Sequence, residues 1–367
     1  MRRTPTSTPP SEPEAPDSVR VMIVDDSLTV RTIFKRMVES GEGLAVADTA
    51  SSAERAIAQL KDQPVDVILL DLEMPGMGGI EALPQLIKTA TGTQILVVSS
   101  LTEDGAEATM TALSMGAADT MLKPRPGGFN EEYRAQLLGK IRALGGADGA
   151  GSEKDQADGK RASVAARAPA PRGKRPEVLA IGASTGGIHA LNLMLRQITP
   201  DFELPILITQ HLPESFVPVF ARQIEVACGR KTVIAEDGTE IRPGEVAIAT
   251  GHGHMLVRRV GDRLITKPSA KPAKSGCMPS VDPMLASLNE ACAGRVLAVI
   301  LSGMGRDGLE GAQELAGNGG TIYAQNAETS AVWGMPGAVA KAGLTSLVAS
   351  PEELGQAIMS LVPASVK

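Results

Sequence analysis

A chain of 367 residues exceeds the length of most single domains, so the sequence predicts two. Its 43% hydrophobic and 21% charged residues indicate a globular protein, and its net charge of −6 argues against a nucleic-acid-binding surface. No apolar run reaches the roughly 18 residues of a membrane-spanning helix, and residues 1–18 lack the apolar segment of a signal peptide. Three cysteines without CxxC spacing argue against a disulfide framework or a zinc site. A cytoplasmic location without membrane insertion is expected.

From Val19 the chain alternates short apolar runs with amphipathic stretches. This alternation predicts a parallel sheet with helices on both faces. A helix is predicted over Leu28–Glu39, and strands are predicted over residues 19–24, 65–70, 95–98 and 120–122. In such a sheet, ligands bind at the carboxyl ends of the strands.

Polar residues follow several of these strands. Asp25 and Asp26 follow the first, Asp71 the next in this series, and Ser99 and Lys123 the last two. Three carboxylates on one edge repel one another unless a cation lies between them, and oxygen ligands of this kind suit Mg²⁺. Solvated helix caps are the alternative, since Asp is a common cap residue, but caps do not explain the placement across several strands.

These residues resemble the motifs of the receiver domain of two-component response regulators. The matching segments are Val24-Asp25-Asp26-Ser27, Leu70-Asp71-Leu72-Glu73-Met74-Pro75-Gly76, Val98-Ser99 and Lys123-Pro124. The resemblance implies that Asp71 accepts a phosphoryl group from a chemotaxis histidine kinase. It also implies that Asp25, Asp26, Asp71 and the backbone carbonyl of Glu73 hold Mg²⁺. Lys123 would pair with the phosphoryl oxygens, and Ser99 would reorient toward them on activation.

A second segment, Gly182-Ala183-Ser184-Thr185-Gly186-Gly187, lies between an apolar strand and a helix predicted over residues 188–198. Ser184 is therefore expected at a tight turn beside the unpaired amides of a helix N-terminus, where negative charge is favoured. A serine in this position is either a nucleophile or a phosphate-cradling residue. The segment also satisfies the GxSxG pattern of α/β-hydrolases, although that motif alone is weak. It lacks the Lys-Ser/Thr ending of a P-loop.

Two other polar residues also follow predicted strands of this region. His211 comes after the strand at residues 206–209, and Asp307 comes after the strand at 296–301. A serine nucleophile, a histidine base and an orienting carboxylate are the parts of a catalytic triad. Among the other histidines, His189 is expected along a helix surface. His252 and His254 are expected on one face of a hairpin formed by strands at residues 246–249 and 255–259. A metal pair is one interpretation, but no third ligand with suitable spacing is evident, so solvated loop or substrate-cleft residues are favoured.

The second region resembles the catalytic domain of the chemotaxis protein-glutamate methylesterases. The resemblance is carried by the Ser184 segment and by Gln210-His211-Leu212-Pro213, Pro279-Ser280-Val281-Asp282, Gly303-Met304-Gly305-Arg306-Asp307-Gly308 and Gly334-Met335-Pro336. It implies that Ser184 attacks an ester, that His211 shuttles the proton and that Asp307 orients His211. Backbone amides near Thr185 and Met304 would bind the oxyanion. No cofactor is expected for the esterase reaction.

The resemblances imply two doubly wound α/β domains, a flavodoxin-like receiver and a Rossmann-like catalytic domain. The expected division is a disordered tail at 1–18, a receiver at 19–140, a flexible linker at 141–176 and a catalytic domain at 177–364. The implied function is phosphorylation-activated removal of methyl esters from chemoreceptor glutamates in sensory adaptation, together with deamidation of receptor glutamines. A phosphorylation-controlled binding module without hydrolase activity is the rival interpretation. Labelling by a serine-directed acylating probe would separate the two.

Overall fold

The computed structural model describes residues 18–100, 102–124, 128–146 and 174–361. In the first unit, the elements are β1 (Val19–Val24), α1 (Leu28–Glu39), β2 (Leu44–Ala50), α2 (Ala53–Gln59), β3 (Val67–Asp71), α3 (Gly79–Thr89), β4 (Gln94–Ser99), α4 (Glu103–Met115), β5 (Asp119–Leu122) and α5 (Glu131–Leu144). The strands form a parallel sheet in the order β2-β1-β3-β4-β5. This is the flavodoxin-like order, as predicted.

Strand β1 shows why a nearly continuous apolar run forms the centre of this sheet. Met22 and Val24 point into one buried apolar cluster, whereas Val21 and Ile23 point into another on the opposite face. Because side chains alternate across a strand, both faces must be apolar when helices cover both. The edge strand β2 was not among the predicted strands, since most of its residues are only half-buried.

In the second unit, the strands are β6 (Val178–Ala183), β7 (Ile206–Gln210), β8 (Thr232–Ile234), β9 (Glu240–Ile241), β10 (Val246–Ile248), β11 (His254–Val260), β12 (Arg263–Ser269), β13 (Val296–Ile300), β14 (Thr321–Gln325) and β15 (Leu347–Ala349). The helices are α6 (Gly187–Leu195), α7 (Val217–Cys228), α8 (Val281–Ala291), α9 (Leu309–Gly317), α10 (Met335–Lys341) and α11 (Pro351–Leu361).

The main sheet of this unit is parallel, in the order β15-β14-β13-β6-β7-β10-β8. Strand β6 lies between β7, which follows it in the chain, and β13, which returns much later. The connection after β6 runs toward β7 on one side, whereas the connection after β13 runs toward β14 on the other side. A crevice therefore forms at the carboxyl ends of these three strands. The predicted doubly wound architecture is confirmed, and it brings the segments after β6, β7 and β13 to one place.

The predicted hairpin around His252 and His254 is wrong. Strand β10 belongs to the main sheet, whereas β11 pairs with β12 in a separate antiparallel sheet of order β11-β12-β9. His252 is exposed and contacts Glu214 at 3.1 Å. His254 is buried, with Nε2 2.8 Å from the Lys271 carbonyl oxygen. Two apolar runs close in sequence need not pair, because each can find a partner in a different sheet.

Two of the expected segments lie largely outside the described residues. These are the tail, at residues 1–17, and most of the linker, at residues 147–173. Helix α5, however, continues through Leu144, because Ile141 and Leu144 pack into the receiver core. Residues 141–144 are therefore helical, contrary to the expected linker. At the other end, Lys174 donates from its backbone N to Gly319 O at 3.0 Å and so belongs to the second unit.

The two units contact each other along α4, the start of β5, α6 and α7. Glu107 of the first unit pairs with Arg222 of the second at 2.9 Å, and His189 Nδ1 lies 3.0 Å from the Ser114 carbonyl oxygen. An apolar layer shared by both units belongs to one buried cluster, which includes Met110, Leu113, Ala117, Ile188, Leu212 and Phe216. The receiver is thus packed against the crevice side of the second unit.

Among the described residues, no helix combines the length and apolar character needed to cross a bilayer.

Candidate active site and phosphoacceptor site

Ser184 lies in the turn between β6 and α6, as predicted. Gly186 precedes α6 with φ of 77°, a left-handed conformation that favours glycine. A Cβ at this glycine would lie 2.6 Å from both Ala331 Cβ and Ser302 Oγ, so a side chain cannot fit there. Ser184 N donates to Ser302 O at 3.0 Å, which fixes the turn to the end of β13.

The three predicted catalytic side chains meet at the carboxyl ends of β6, β7 and β13. His211 Nδ1 is 3.1 Å from Ser184 Oγ, and His211 Nε2 is 2.7 Å from Asp307 Oδ2. Asp307 is ionised, so Nε2 carries the proton and donates it, which leaves Nδ1 free to accept from the serine hydroxyl. The two ring nitrogens are exchanged relative to the chymotrypsin triad, but the relay from serine to imidazole to carboxylate is the same.

Asp307 is held by groups that the sequence analysis did not assign to the site. Ser280 Oγ donates to Asp307 Oδ1 at 2.7 Å, and Val281 N donates to Oδ2 at 2.8 Å. Ser280 N in turn donates to His254 Nδ1 at 2.9 Å. The sequence contained the Pro279–Asp282 motif, but only the fold shows that it packs against the carboxylate. These contacts fix the direction of Asp307 and so the orientation of His211.

Burial and hydrogen bonding determine the pKa values of Asp307 and His211. Burial alone would raise the pKa of Asp307, but hydrogen bonds from His211, Ser280 and Val281 N hold it well below its usual value. Burial alone would lower the pKa of His211. The hydrogen bond to Asp307 and the neighbouring Cys277 side chain outweigh this effect and raise the His211 pKa to about 9. Ionised Asp307 therefore favours the imidazolium that forms during catalysis.

This pKa predicts how the hydrolysis rate varies with pH. His211 accepts a proton only when neutral, so kcat/KM should fall as pH decreases through its raised pKa of about 9. Exposing His211 to solvent would not remove the upward shift of its pKa, because burial lowers this pKa and the hydrogen bond to Asp307 raises it. A pH profile of methanol release by the phosphorylated protein measures the midpoint. Asp307→Asn should move the midpoint to lower pH. A rate independent of pH between about 5 and 8, with chemistry limiting, would contradict a histidine base.

Ser280 offers a prediction about positioning. Ser280→Ala removes one hydrogen bond to a buried carboxylate, a contact that typically contributes about 1.5–3 kcal/mol. We expect kcat to fall about 10-fold or more, with the pH midpoint of His211 displaced because Asp307 becomes more basic. Ser287→Ala is the matched control on the same helix, since Ser287 bonds Val257 N and Met284 O instead. Equal effects of the two substitutions on the rate would argue against a positioning role.

The two predicted oxyanion donors belong to two backbone segments next to Ser184. Thr185 follows Ser184 directly, and its side chain donates to Asp119 Oδ2 of the receiver at 2.6 Å. Met304 follows Gly303, where an added Cβ would lie 2.8 Å from Ser184 Cβ. The turn at Gly303 and Met304 therefore packs closely against the nucleophile. Two backbone segments flanking one serine are the arrangement that an oxyanion hole requires.

The receiver closes one side of this crevice. Ala118 O accepts a hydrogen bond from Gly186 N at 2.6 Å, and Asp119 binds both Thr185 and Lys140. A cavity of about 220 Å³ remains between the units. Its lining includes Ser184 and His211 from the second unit and Thr120, Tyr133 and Gln136 from the receiver. These contacts place the receiver against the turn that carries Ser184.

Asp71, the predicted phosphoacceptor, lies at the carboxyl edge of the receiver sheet beside Lys123. Lys123 Nζ is 2.6 Å from Asp71 Oδ2 and 3.1 Å from Asp25 Oδ2. Burial raises the pKa of Asp71 to about 6, against the lowering effect of the Lys123 hydrogen bond. Ser99 is buried and accepts from Thr109 Oγ1 at 2.7 Å. In this state Ser99 is thus bound to α4.

The acidic residues at this edge fit a hard divalent cation. Carboxylate oxygens of Asp25, Asp26 and Asp71 lie within 4.8 Å of one another. Asp25 Oδ2 is buried and faces Lys123 Nζ at 3.1 Å, so a bound cation would share this oxygen with the lysine. Glu73 N donates to Asp71 Oδ1 at 3.0 Å, so the backbone of Glu73 borders the same edge. Oxygen donors of this kind are those that Mg²⁺ prefers.

Comparison with known proteins gives the same division of the chain. Residues 21–128 match the response regulator receiver domain, and residues 179–358 match the CheB methylesterase family. A protein-glutamate methylesterase/protein-glutamine glutaminase of Paramagnetospirillum magneticum is 40% identical over 95% of this chain and 97% of its own. Another so named, from Caulobacter vibrioides, is 41% identical over 93% of this chain and 98% of its own.

A solved structure supports the second unit in particular. The CheB methylesterase catalytic domain of Thermotoga maritima is 31% identical, with a TM-score of 0.50, and the match covers 52% of this chain and all of that one. The receiver and catalytic units thus both have close counterparts, and the relatives contain them in one chain of similar length. The chain therefore belongs to the protein-glutamate methylesterase/protein-glutamine glutaminase family, with a receiver domain followed by a CheB methylesterase domain.

Proposed function

We propose that this enzyme hydrolyses the γ-methyl esters of glutamates on methyl-accepting chemoreceptors and deamidates receptor glutamines. The observation that carries the proposal is the continuous relay from Ser184 through His211 to buried Asp307. The names of the relatives supply the substrate class, since both are called protein-glutamate methylesterase/protein-glutamine glutaminase. Esters and primary amides undergo the same acyl transfer to water, so one site serves both reactions.

The proposed reaction follows from the position of each group. Ser184 Oγ attacks the γ-carbonyl carbon while its proton passes to His211 Nδ1. The oxyanion is stabilised by backbone amides at Thr185 and Met304. The imidazolium, stabilised by Asp307, returns the proton to the departing methoxide, and methanol leaves. Water then attacks the acyl-serine with the same base, releasing the glutamate carboxylate and restoring the Ser184 hydroxyl.

The receiver controls this reaction in our proposal, acting on the catalytic domain through a linker that follows α5 and ends before Lys174. A chemotaxis histidine kinase supplies the phosphoryl group to Asp71. Asp25, Asp26, Asp71 and the Glu73 carbonyl would hold Mg²⁺, which neutralises phosphoryl charge when bound. The phosphoryl group carries roughly −1.5 to −2 charges in place of the single charge of ionised Asp71, and Lys123 and a reoriented Ser99 can bind its oxygens. Ser99 would then leave Thr109 of α4, a helix that packs on the catalytic domain.

This coupling explains how phosphorylation of the distant Asp71 could change access to Ser184. Movement of α4 and β5 would break the contacts of Ala118 and Asp119 with the Ser184 loop and open the cavity. A cytoplasmic location follows from the proposed kinase and from the receptor segments that carry the methyl esters. Neither nucleic acid nor direct membrane insertion enters the mechanism.

Methanol release from methylated receptor membranes tests the proposal. The full chain should release methanol slowly alone and faster with a small phosphodonor and Mg²⁺, while Asp71→Asn should stay at the slow rate. Small esters provide the comparison that separates a receptor enzyme from a general esterase. Release equal to that of the membranes alone, from a phosphorylated and folded protein, would favour a binding module.

A further inference from the structure

The fold places a cysteine beside the catalytic pair. Cys277 lies between β12 and α8, far in sequence from His211 and Asp307. A ring nitrogen of His211, Cys277 Sγ and a carboxylate oxygen of Asp307 nevertheless lie within 4.8 Å of one another. The Cys277 side chain is partly exposed, and its hydrogen-bond contact to Ser275 O is long, at 3.9 Å. The Cys277 side chain also contacts the His211 ring, so the thiol already lies beside one of the other two groups.

We propose that His211, Cys277 and Asp307 form an inhibitory site for a thiophilic divalent cation of the Zn²⁺ class. Thiolate, imidazole and carboxylate are the ligands that Zn²⁺ takes in proteins, and three protein ligands leave a fourth position for water. The missing CxxC spacing of the cysteines argues against a zinc site built from ligands close in sequence. The fold instead assembles these three ligands from distant segments.

The geometry needs only a small adjustment. Zinc bonds of about 2.0–2.3 Å place ligand atoms of a tetrahedral site roughly 3.3–3.8 Å apart. His211 Nε2 and Asp307 Oδ2 are 2.7 Å apart, so a shared cation would separate them slightly. Cys277 Sγ lies no more than 4.8 Å from the other two ligand atoms, so it would approach by at most about an ångström, which its position in a partly exposed turn permits. Ser280 Oγ and Val281 N hold Asp307 from behind and provide the outer contacts that metal ligands usually have.

The proton balance explains why such a cation would inhibit. Asp307 is already ionised, and the Cys277 thiol would release one proton to solvent on binding. The cation would bind the Nε2 lone pair and displace the Nε2 proton, which passes to Nδ1 when the ring is neutral and to solvent when Nδ1 is already protonated. Nδ1 would then face Ser184 as a donor and could not accept the serine proton. The inhibition rests on the proposed roles of Ser184 and His211, whereas the binding does not.

Binding is tested separately from activity, with Co²⁺ as the spectroscopic probe. The full chain is titrated with Co²⁺ under excess Mg²⁺, which occupies the receiver site. We expect one equivalent to produce a thiolate-to-cobalt absorption band together with visible bands of tetrahedral intensity. Cys277→Ser should abolish the thiolate band, and His211→Gln should weaken binding at least 10-fold. Cys228→Ser, which alters a buried cysteine on α7, should leave the band intact.

A thiolate band that survives Cys277→Ser, or no band at all, would overturn the site. A band that disappears in Cys277→Ser but binds with unchanged affinity in His211→Gln would also overturn it, because the catalytic histidine would not be a ligand. These outcomes do not depend on whether the protein is an esterase.

Inhibition is then measured as methanol release by the phosphorylated chain with and without Zn²⁺. Each variant is compared with its own metal-free rate, so that basal differences do not matter. Zn²⁺ should reduce the wild-type rate reversibly, with chelator restoring it, and Cys277→Ser should raise the half-inhibitory Zn²⁺ concentration at least 10-fold. Equal sensitivity of Cys277→Ser and wild type would overturn the inhibitory role, even if Co²⁺ binds.

Discussion

Ser184→Ala is expected to abolish methanol release while leaving phosphorylation of Asp71 intact. Ser184 Oγ is the proposed attacking atom, and it lies 3.1 Å from Nδ1 of His211, the proposed base. Removing the nucleophile from a serine hydrolase typically lowers kcat by about 10⁶-fold. Asp71 belongs to the receiver sheet and makes its contacts with Lys123 and Glu73, so its chemistry should not change.

The measurement pairs methanol release with incorporation of the phosphoryl group in the same preparation. Ser302→Ala is not a suitable control, because Ser302 Oγ donates to the Thr185 carbonyl oxygen at 2.7 Å, beside the nucleophile. Ser287→Ala is better, since it removes a serine hydroxyl from α8 without touching the relay. Near-normal turnover by Ser184→Ala, after contamination is excluded, would disprove the nucleophile assignment.

The second large effect is expected when the receiver is removed. A catalytic fragment beginning at Lys174 should hydrolyse receptor esters faster than the unphosphorylated full chain, because Ala118 and Asp119 no longer cover the Ser184 loop. Allosteric coupling of about 1–3 kcal/mol corresponds to roughly a 5- to 150-fold difference. Beginning at Lys174 keeps its contacts with Gly319 and Ala293.

A point substitution provides the matched test in the full chain. Asp119→Ala removes the acceptor of Thr185 and should raise the rate without phosphodonor. Glu107→Gln is the control at the rim of the same interface, since the Glu107–Arg222 pair is more than half exposed and such pairs contribute little. If the fragment is folded yet no faster than the unphosphorylated chain, occlusion is wrong. Phosphorylation would then act by building a better active site.

Strand ends explain why so much of the site could be predicted. The strands β1, β6 and β7 are apolar runs that end in polar residues, and a parallel sheet gathers those ends on one edge. Asp25, Ser184 and His211 were therefore placed by chain order and hydrophobicity alone. The periodicity of α1 was equally clear, and the helix has the predicted bounds.

Residues that act through contacts between distant segments could not be predicted in this way. Ser280 begins a helix, and nothing local indicates that its hydroxyl binds Asp307. Asp119 opens a receiver strand, and its contact with Thr185 exists only because two domains pack together. Cys277 approaches His211 from a turn after a different sheet. For the same reason the pairing of β10 with a neighbouring apolar run was predicted wrongly.

The most direct test of the account is the rate at which a serine-directed acylating probe labels Ser184 in the full chain. Mass spectrometry of peptides identifies the labelled residue, with and without phosphodonor and Mg²⁺. We predict labelling at Ser184 that is slow in the resting protein, several-fold faster after phosphorylation of Asp71, and unresponsive to phosphodonor in Asp71→Asn. Labelling at another residue would contradict the nucleophile, and a Ser184 rate unchanged by phosphorylation would contradict control by uncovering.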